Sequence, residues 1–148
     1  MPNRRRHQGV GRVAGSGYAG LRALASPNGD PLVETIGGLI GGDLGSAVPD
    51  QLEPARWNHR RACHSWTAGG ALLAASAKVE DWAEICRSKA AAHRGLSHDP
   101  RLTGAEQLWH SLVALTWNLL AGFLNGLLAG YVSHLVLDGQ TTAGIPVV

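Results

Sequence analysis

Charge is scarce in this 148-residue chain, at 16% of residues, and so are phenylalanine and methionine, with one of each. With 45% of residues hydrophobic, the chain can bury a sizeable core, and disorder is excluded as its dominant state. Two cysteines, Cys63 and Cys86, are too few for a disulfide framework or a four-thiolate zinc site. Lys and Arg number 13 against 11 Asp and Glu, a formal charge of +2, which excludes a chain acting as a polycation on nucleic acid. The basic start, Arg4-Arg5-Arg6-His7, is followed by Gly9, Gly11 and Gly15 in place of a compact Leu-rich run. No cleaved secretory signal is expected. From Leu108 through Leu137 there is no Asp, Glu, Lys or Arg at all. What the chain has in quantity is glycine, 20 residues, and histidine, seven.

The glycines are spaced for helices that approach closely. Gln8 to Ala25 mixes Gly and Ala with Val10, Val13, Tyr18, Leu21 and Leu24 at near-helical spacing. Ser26-Pro27-Asn28-Gly29-Asp30-Pro31 then forces a turn. A second helix is expected over Leu32 to Ala47, where Gly37-Gly38 and Gly41-Gly42 admit a neighbouring backbone and Pro49 ends the element. Val48 to Ser65 reads as irregular and polar. Trp66 to about Ala92 reads as an Ala-rich helix or helix pair, and His93 to Gly104 as a surface loop. The uncharged run from Leu108 to Leu137 is long enough to cross a bilayer, and a central helix of a soluble all-α domain has the same pattern. Within it Gly122, Gly126 and Gly130 draw a smooth strip along one face. The tail from Gly139 to Val148 is expected to be extended. The expected fold is one all-α domain over 1–148, a compact Gly/Ala-rich bundle of four to five helices with a metal-site loop.

Candidate chemistry lies at two places. His134 and Asp138 are four residues apart, so on a helix they project from one face, a turn apart. That suits two ligands of one metal, or a core histidine beside a helix-end carboxylate. His59 and His64 follow Asp50 and Glu53 within one short stretch, a mixed N/O donor set that zinc, manganese and iron all accept. The same histidines beside arginines also describe a solvated loop. Asp43 falls one heptad before Asp50 and is either support for that site or an arginine's partner. His93-Arg94-x-x-x-His98 echoes His59-Arg60-x-x-x-His64 but lacks a preceding Pro-Asp step, and coincidence is the simpler reading. Ser65 suits a helix cap.

The order of these motifs is more specific than any one of them. Pro49-Asp50-x-x-Glu53-Pro54-Ala55, Asn58-His59-Arg60-x-x-x-His64-Ser65 and Gly130-Tyr131-x-Ser133-His134-x-x-x-Asp138-Gly139 together resemble the YdjM-like family of predicted membrane-bound, metal-dependent hydrolases of bacteria and their phages. The resemblance covers most of the chain except about Val79 to Gln107. It implies Asp50, His59, His64, His134 and Asp138 as ligands, with His7 as a sixth. The family's threonine before the second histidine is here Cys63, which reads better as a small buried thiol than as a ligand. Six donors exceed one tetrahedral zinc, so one or two divalent ions are implied, zinc first and manganese or iron as alternatives.

The implied reaction is metal-assisted hydrolysis, with Glu53 or Asp50 accepting a proton from water and Arg60 facing the substrate with its planar fork. The final His-x-x-x-Asp is also similar to a ligand pair in zinc-dependent phospholipase C enzymes, which by analogy suggests a small-molecule or lipid phosphoester. The expected location is the bacterial inner membrane, with a cytoplasmic protein as the alternative, and a homo-oligomer is compatible with the Gly strips. The rival reading is a non-enzymatic membrane or assembly protein with a structural metal or none. A third gives Arg4, Arg5, Arg6 and Arg12 to anionic lipid or nucleic acid, and four arginines are a weak signal for it.

Overall fold

The computed structural model describes residues 4–52 and 66–139. Among them there are four helices and no strand: α1 (Arg4–Ala25), α2 (Pro31–Leu52), α3 (Trp66–Leu96) and α4 (Gly104–Gly139). The all-α bundle expected from the sequence is present. The expected metal-site loop, with Glu53, His59, Arg60, Cys63 and His64, lies outside the described residues, as does the tail beyond Gly139.

Local chemistry sets the helix starts. Asp30 accepts the Val33 amide hydrogen at 3.1 Å and Glu34 reaches back to the Asp30 amide at 3.3 Å, while Pro31 fills the first helical position, where its missing N–H costs nothing. Thr103 and Glu106 form a capping box at the start of α4, Glu106 accepting the Thr103 amide at 2.8 Å. At the end of α3, the His98 ring and the Ser97 hydroxyl both donate to the Arg94 carbonyl at 2.8 Å.

Four expectations need correction. Pro49 does not end the second helix: α2 runs on to Leu52 with Pro49 inside it. The proline falls in the last turn, where it removes a single hydrogen bond, and Gly45 four residues earlier has no side chain to crowd its ring. Asp50 is therefore a helical residue, and the irregular stretch does not begin at Val48. α1 starts at Arg4 and not Gln8, which places His7 on a helix. α3 is one helix that continues to Leu96, which shortens the loop expected from His93.

α1, α2 and α4 pack against one another, and α3 packs on α4. Glycine makes these contacts possible. A Cβ at Gly126 would collide with the Gly38 carbonyl, and so would one at Gly15. α2 thus meets α1 and α4 backbone to backbone, with nothing larger than hydrogen between them.

Close packing of this kind leaves little room for large side chains inside. The buried hydrophobics are mostly alanines, among them Ala19, Ala83, Ala90 and Ala121, while Leu21, Leu24, Leu32, Leu108 and Trp109 are more than 60% exposed. The largest fully buried side chains are mostly polar: Glu34, Arg87, Asn118, Asn125 and His134 are each at most 1% exposed. A bundle with polar groups inside and leucines outside inverts the usual distribution of a water-soluble domain. α4 is, among the described residues, the one helix long and apolar enough to cross a membrane by length and composition.

Candidate metal centre

Three helices deliver one site. α1 carries His7 in its first turns, α2 brings Ser46 and Asp50 near its end, and α4 contributes His134 and Asp138 one turn apart. The Gly42 to Gly130 contact holds the ends of α2 and α4 together just before these residues.

The His134 ring is fixed by one hydrogen bond. Its Nδ1 stands 2.6 Å from the Ser46 carbonyl oxygen, an atom that only accepts, so Nδ1 carries the hydrogen. Nε2 is then the basic nitrogen, and it faces Asp138 Oδ2 at 3.5 Å and Asp50 Oδ1 at 3.7 Å. His7 stacks on the same ring at 4.2 Å between centroids and 28° between planes, and its Nε2 lies 3.7 Å from Asp138 Oδ1.

These spacings are long for hydrogen bonds. They also leave room for a shared cation. Donors bound at ~2.0–2.1 Å in a tetrahedron stand about 3.3 Å from one another. One ligand atom each from His7, His134 and Asp138 falls within 4.8 Å of the others, and all three residues are buried. Two imidazoles and a carboxylate form a donor set for a divalent transition metal, and a backbone carbonyl on the remote nitrogen is the usual means of orienting a ligand histidine. Asp50, half-buried, is placed to complete the set or to support it.

The structure thus brings together four of the six expected ligands: His7, Asp50, His134 and Asp138. His59 and His64 lie outside the described residues, together with the expected catalytic pair Glu53 and Arg60. Asp43 is no part of the site. It pairs with Arg12 at 2.9 Å, which also removes Arg12 from the N-terminal basic cluster.

Two polar clusters escaped the sequence reading. Arg87 of α3 grips Glu34 of α2 with Nε and Nη2 at 2.8–3.1 Å, and its third nitrogen, Nη1, reaches Glu84 at 3.1 Å. Arg87 is one of several charges on α3, and nothing along the chain singles it out as the partner of Glu34. His93 and His110 meet Nδ1 to Nδ1 at 2.8 Å across α3 and α4, one as donor and the other as acceptor. No spacing along the chain relates those two. His93 therefore has a partner of its own, which agrees with reading its echo of His59 as coincidence.

Comparisons with family models, curated proteins and solved structures return no match.

Proposed function

We propose that this chain is a membrane-embedded, metal-dependent hydrolase acting on a phosphoester, of the YdjM-like kind that its motif order resembles. The observation that carries the reading is the convergence of His7, His134 and Asp138 from two distant parts of the sequence, with His134 Nδ1 committed to a backbone carbonyl and Nε2 left to face two carboxylates. The outward-facing leucines and the apolar length of α4 speak for the membrane.

When bound, a divalent ion, with zinc the first choice for two imidazoles and a carboxylate, supplies Lewis acidity to a water and a phosphoryl oxygen. Among the residues described, His7, His134 and Asp138 would hold that ion. Asp50, less buried than the other three, accepts the proton that water gives up. The water oxygen bonds to phosphorus as the ester P–O bond breaks, and the leaving alcohol oxygen takes a proton, so one water is consumed per ester. By resemblance, Glu53 shares the base role and Arg60 neutralises phosphoryl charge.

Burial of His7, His134 and Asp138 also favours a second reading, a structural ion that ties α1 to α4 in a non-enzymatic assembly protein. The deciding experiment is elemental analysis of the full chain in detergent together with phosphate release from phosphatidate. Stoichiometric metal and turnover, both lost in a helical Asp138→Asn variant, support the hydrolase. Metal without turnover on any phosphoester supports the structural ion, and a metal-free protein after reconstitution removes both.

A further inference from the structure

α1 and α3 are neighbours that do not touch along their backbones. Side chains bridge them where Tyr18 and Arg22 bind Glu80 and Ser26 binds Glu84. Towards His7 the two helices leave a cavity of about 660 Å³ floored by α4. Val10 and Ala14 form its α1 wall, Leu73 stands on the α3 side, and Leu128, Val132 and Val136 line α4.

The position of this cavity relative to the metal centre is informative. Val10 and Ala14 follow His7 by three and seven residues, so they continue the helical face that carries it. Ser133 and Leu137, which also line the cavity, directly precede His134 and Asp138. Tyr18 closes the opposite end. By the helical rise, Val10 to Tyr18 spans about 12 Å. Val10, Leu73 and Val136 are themselves exposed, so the cavity opens sideways and its rim is continuous with the apolar outer surface.

We propose, resting on the hydrolase reading above, that this groove takes an acyl chain of the substrate, which makes the substrate a membrane lipid phosphoester and not a water-soluble one. A polar donor cluster at one end and an aliphatic trough leading away from it match an amphiphile with its phosphoester at the His/Asp end. A peptide in the same trough would leave its backbone N–H and C=O groups against Val, Leu and Ala, without partners. An acyl chain has no such groups, and the lateral opening admits it from the bilayer without passage through water.

The test uses the full chain in phosphatidylcholine nanodiscs doped with a phosphatidate that carries a diazirine in mid-chain. After irradiation, peptide mapping should place the label chiefly on Val10, Ala14, Leu128, Val132 and Val136, with little on Leu21, Leu39 or Leu112, which face outward elsewhere. Label spread evenly over all outward apolar residues would overturn the proposal. Ala14→Trp and, independently, Val132→Phe should fill the groove and cut its labelling at least tenfold while helix content and bound metal stay at parent levels. Unchanged labelling in whichever of these variants folds also overturns it. Metal content, and phosphate release from phosphatidate that is lost in Asp138→Asn, report on the hydrolase reading separately. Groove-specific label on a metal-free protein sinks that reading and leaves the acyl-chain groove. A loaded enzyme that cleaves glycerol 3-phosphate and phosphatidate equally well, with or without Ala14→Trp, sinks the groove alone.

Discussion

Arg87 of α3 and Glu34 of α2 form a fork-to-carboxylate pair at 2.8 Å in which both side chains are at most 1% exposed. α2 and α3 have no close backbone contact among the described residues, and this pair bridges them, while the Arg87–Glu84 bond lies within α3. A buried pair of this geometry costs much to break and little to replace whole.

The pair therefore predicts a non-additive result. Arg87→Met alone should destabilise the bundle by about 3–5 kcal/mol, since it leaves the Glu34 carboxylate buried without its cation. The double variant Arg87→Met with Glu34→Leu should recover most of that loss. Thermal unfolding in detergent, run as a double-mutant cycle, measures both, and additive losses would rule out the coupling.

Glycine position should matter more than glycine number. Gly126→Leu drives a side chain into the Gly38 backbone and should cost about 3 kcal/mol or more, whereas Gly17→Leu, with open space at its Cβ, should be neutral or gain a few tenths of a kcal/mol from helix propensity. Comparable melting temperatures for the two variants would contradict the backbone-to-backbone packing of α2 and α4.

At the metal centre, His134→Ala and Asp138→Ala should each abolish stoichiometric metal. Asp50→Asn should weaken the affinity about 10–100-fold, as expected of a supporting carboxylate. Asp43→Asn, whose partner is Arg12, should leave it unchanged. Competition with a chromogenic chelator separates the three outcomes.

The turn between α3 and α4 has its own pH signature. The Arg101 guanidinium, at 2.6 Å, and then the Arg101 amide hold the Asp99 carboxyl below its ordinary value of 3.8. Because the folded value is depressed, the contribution of Asp99 is complete above the ordinary carboxylate range and disappears as pH falls through the folded value. In Arg101→Ala the Asp99 titration followed by NMR should move upward; an unmoved midpoint would show that the contact is not formed in solution.

Much of this molecule was legible in one dimension. Repeated Gly and Ala at helical spacing, the Ser26–Pro31 turn and the uncharged run of α4 are local signals, and local signals set helix number and approximate span. The pairing of His134 with Asp138 was equally legible, because i and i+4 share a face on any helix. Pro49 misled the reading because its effect depends on where in a helix it falls and on the glycine four residues before it.

What the sequence could not express is which distant residues meet. His7 and His134 are separated by most of the chain, and only the α1–α2–α4 glycine contacts bring their rings to 4.2 Å. Which His134 nitrogen faces Asp50 and Asp138 depends on a carbonyl 88 residues away, at Ser46. Helix periodicity gives each element an apolar stripe, but it does not say whether that stripe faces a core or a lipid. Here glycine and alanine occupy the interior so completely that the leucines are turned outward, and that outcome belongs to packing in three dimensions.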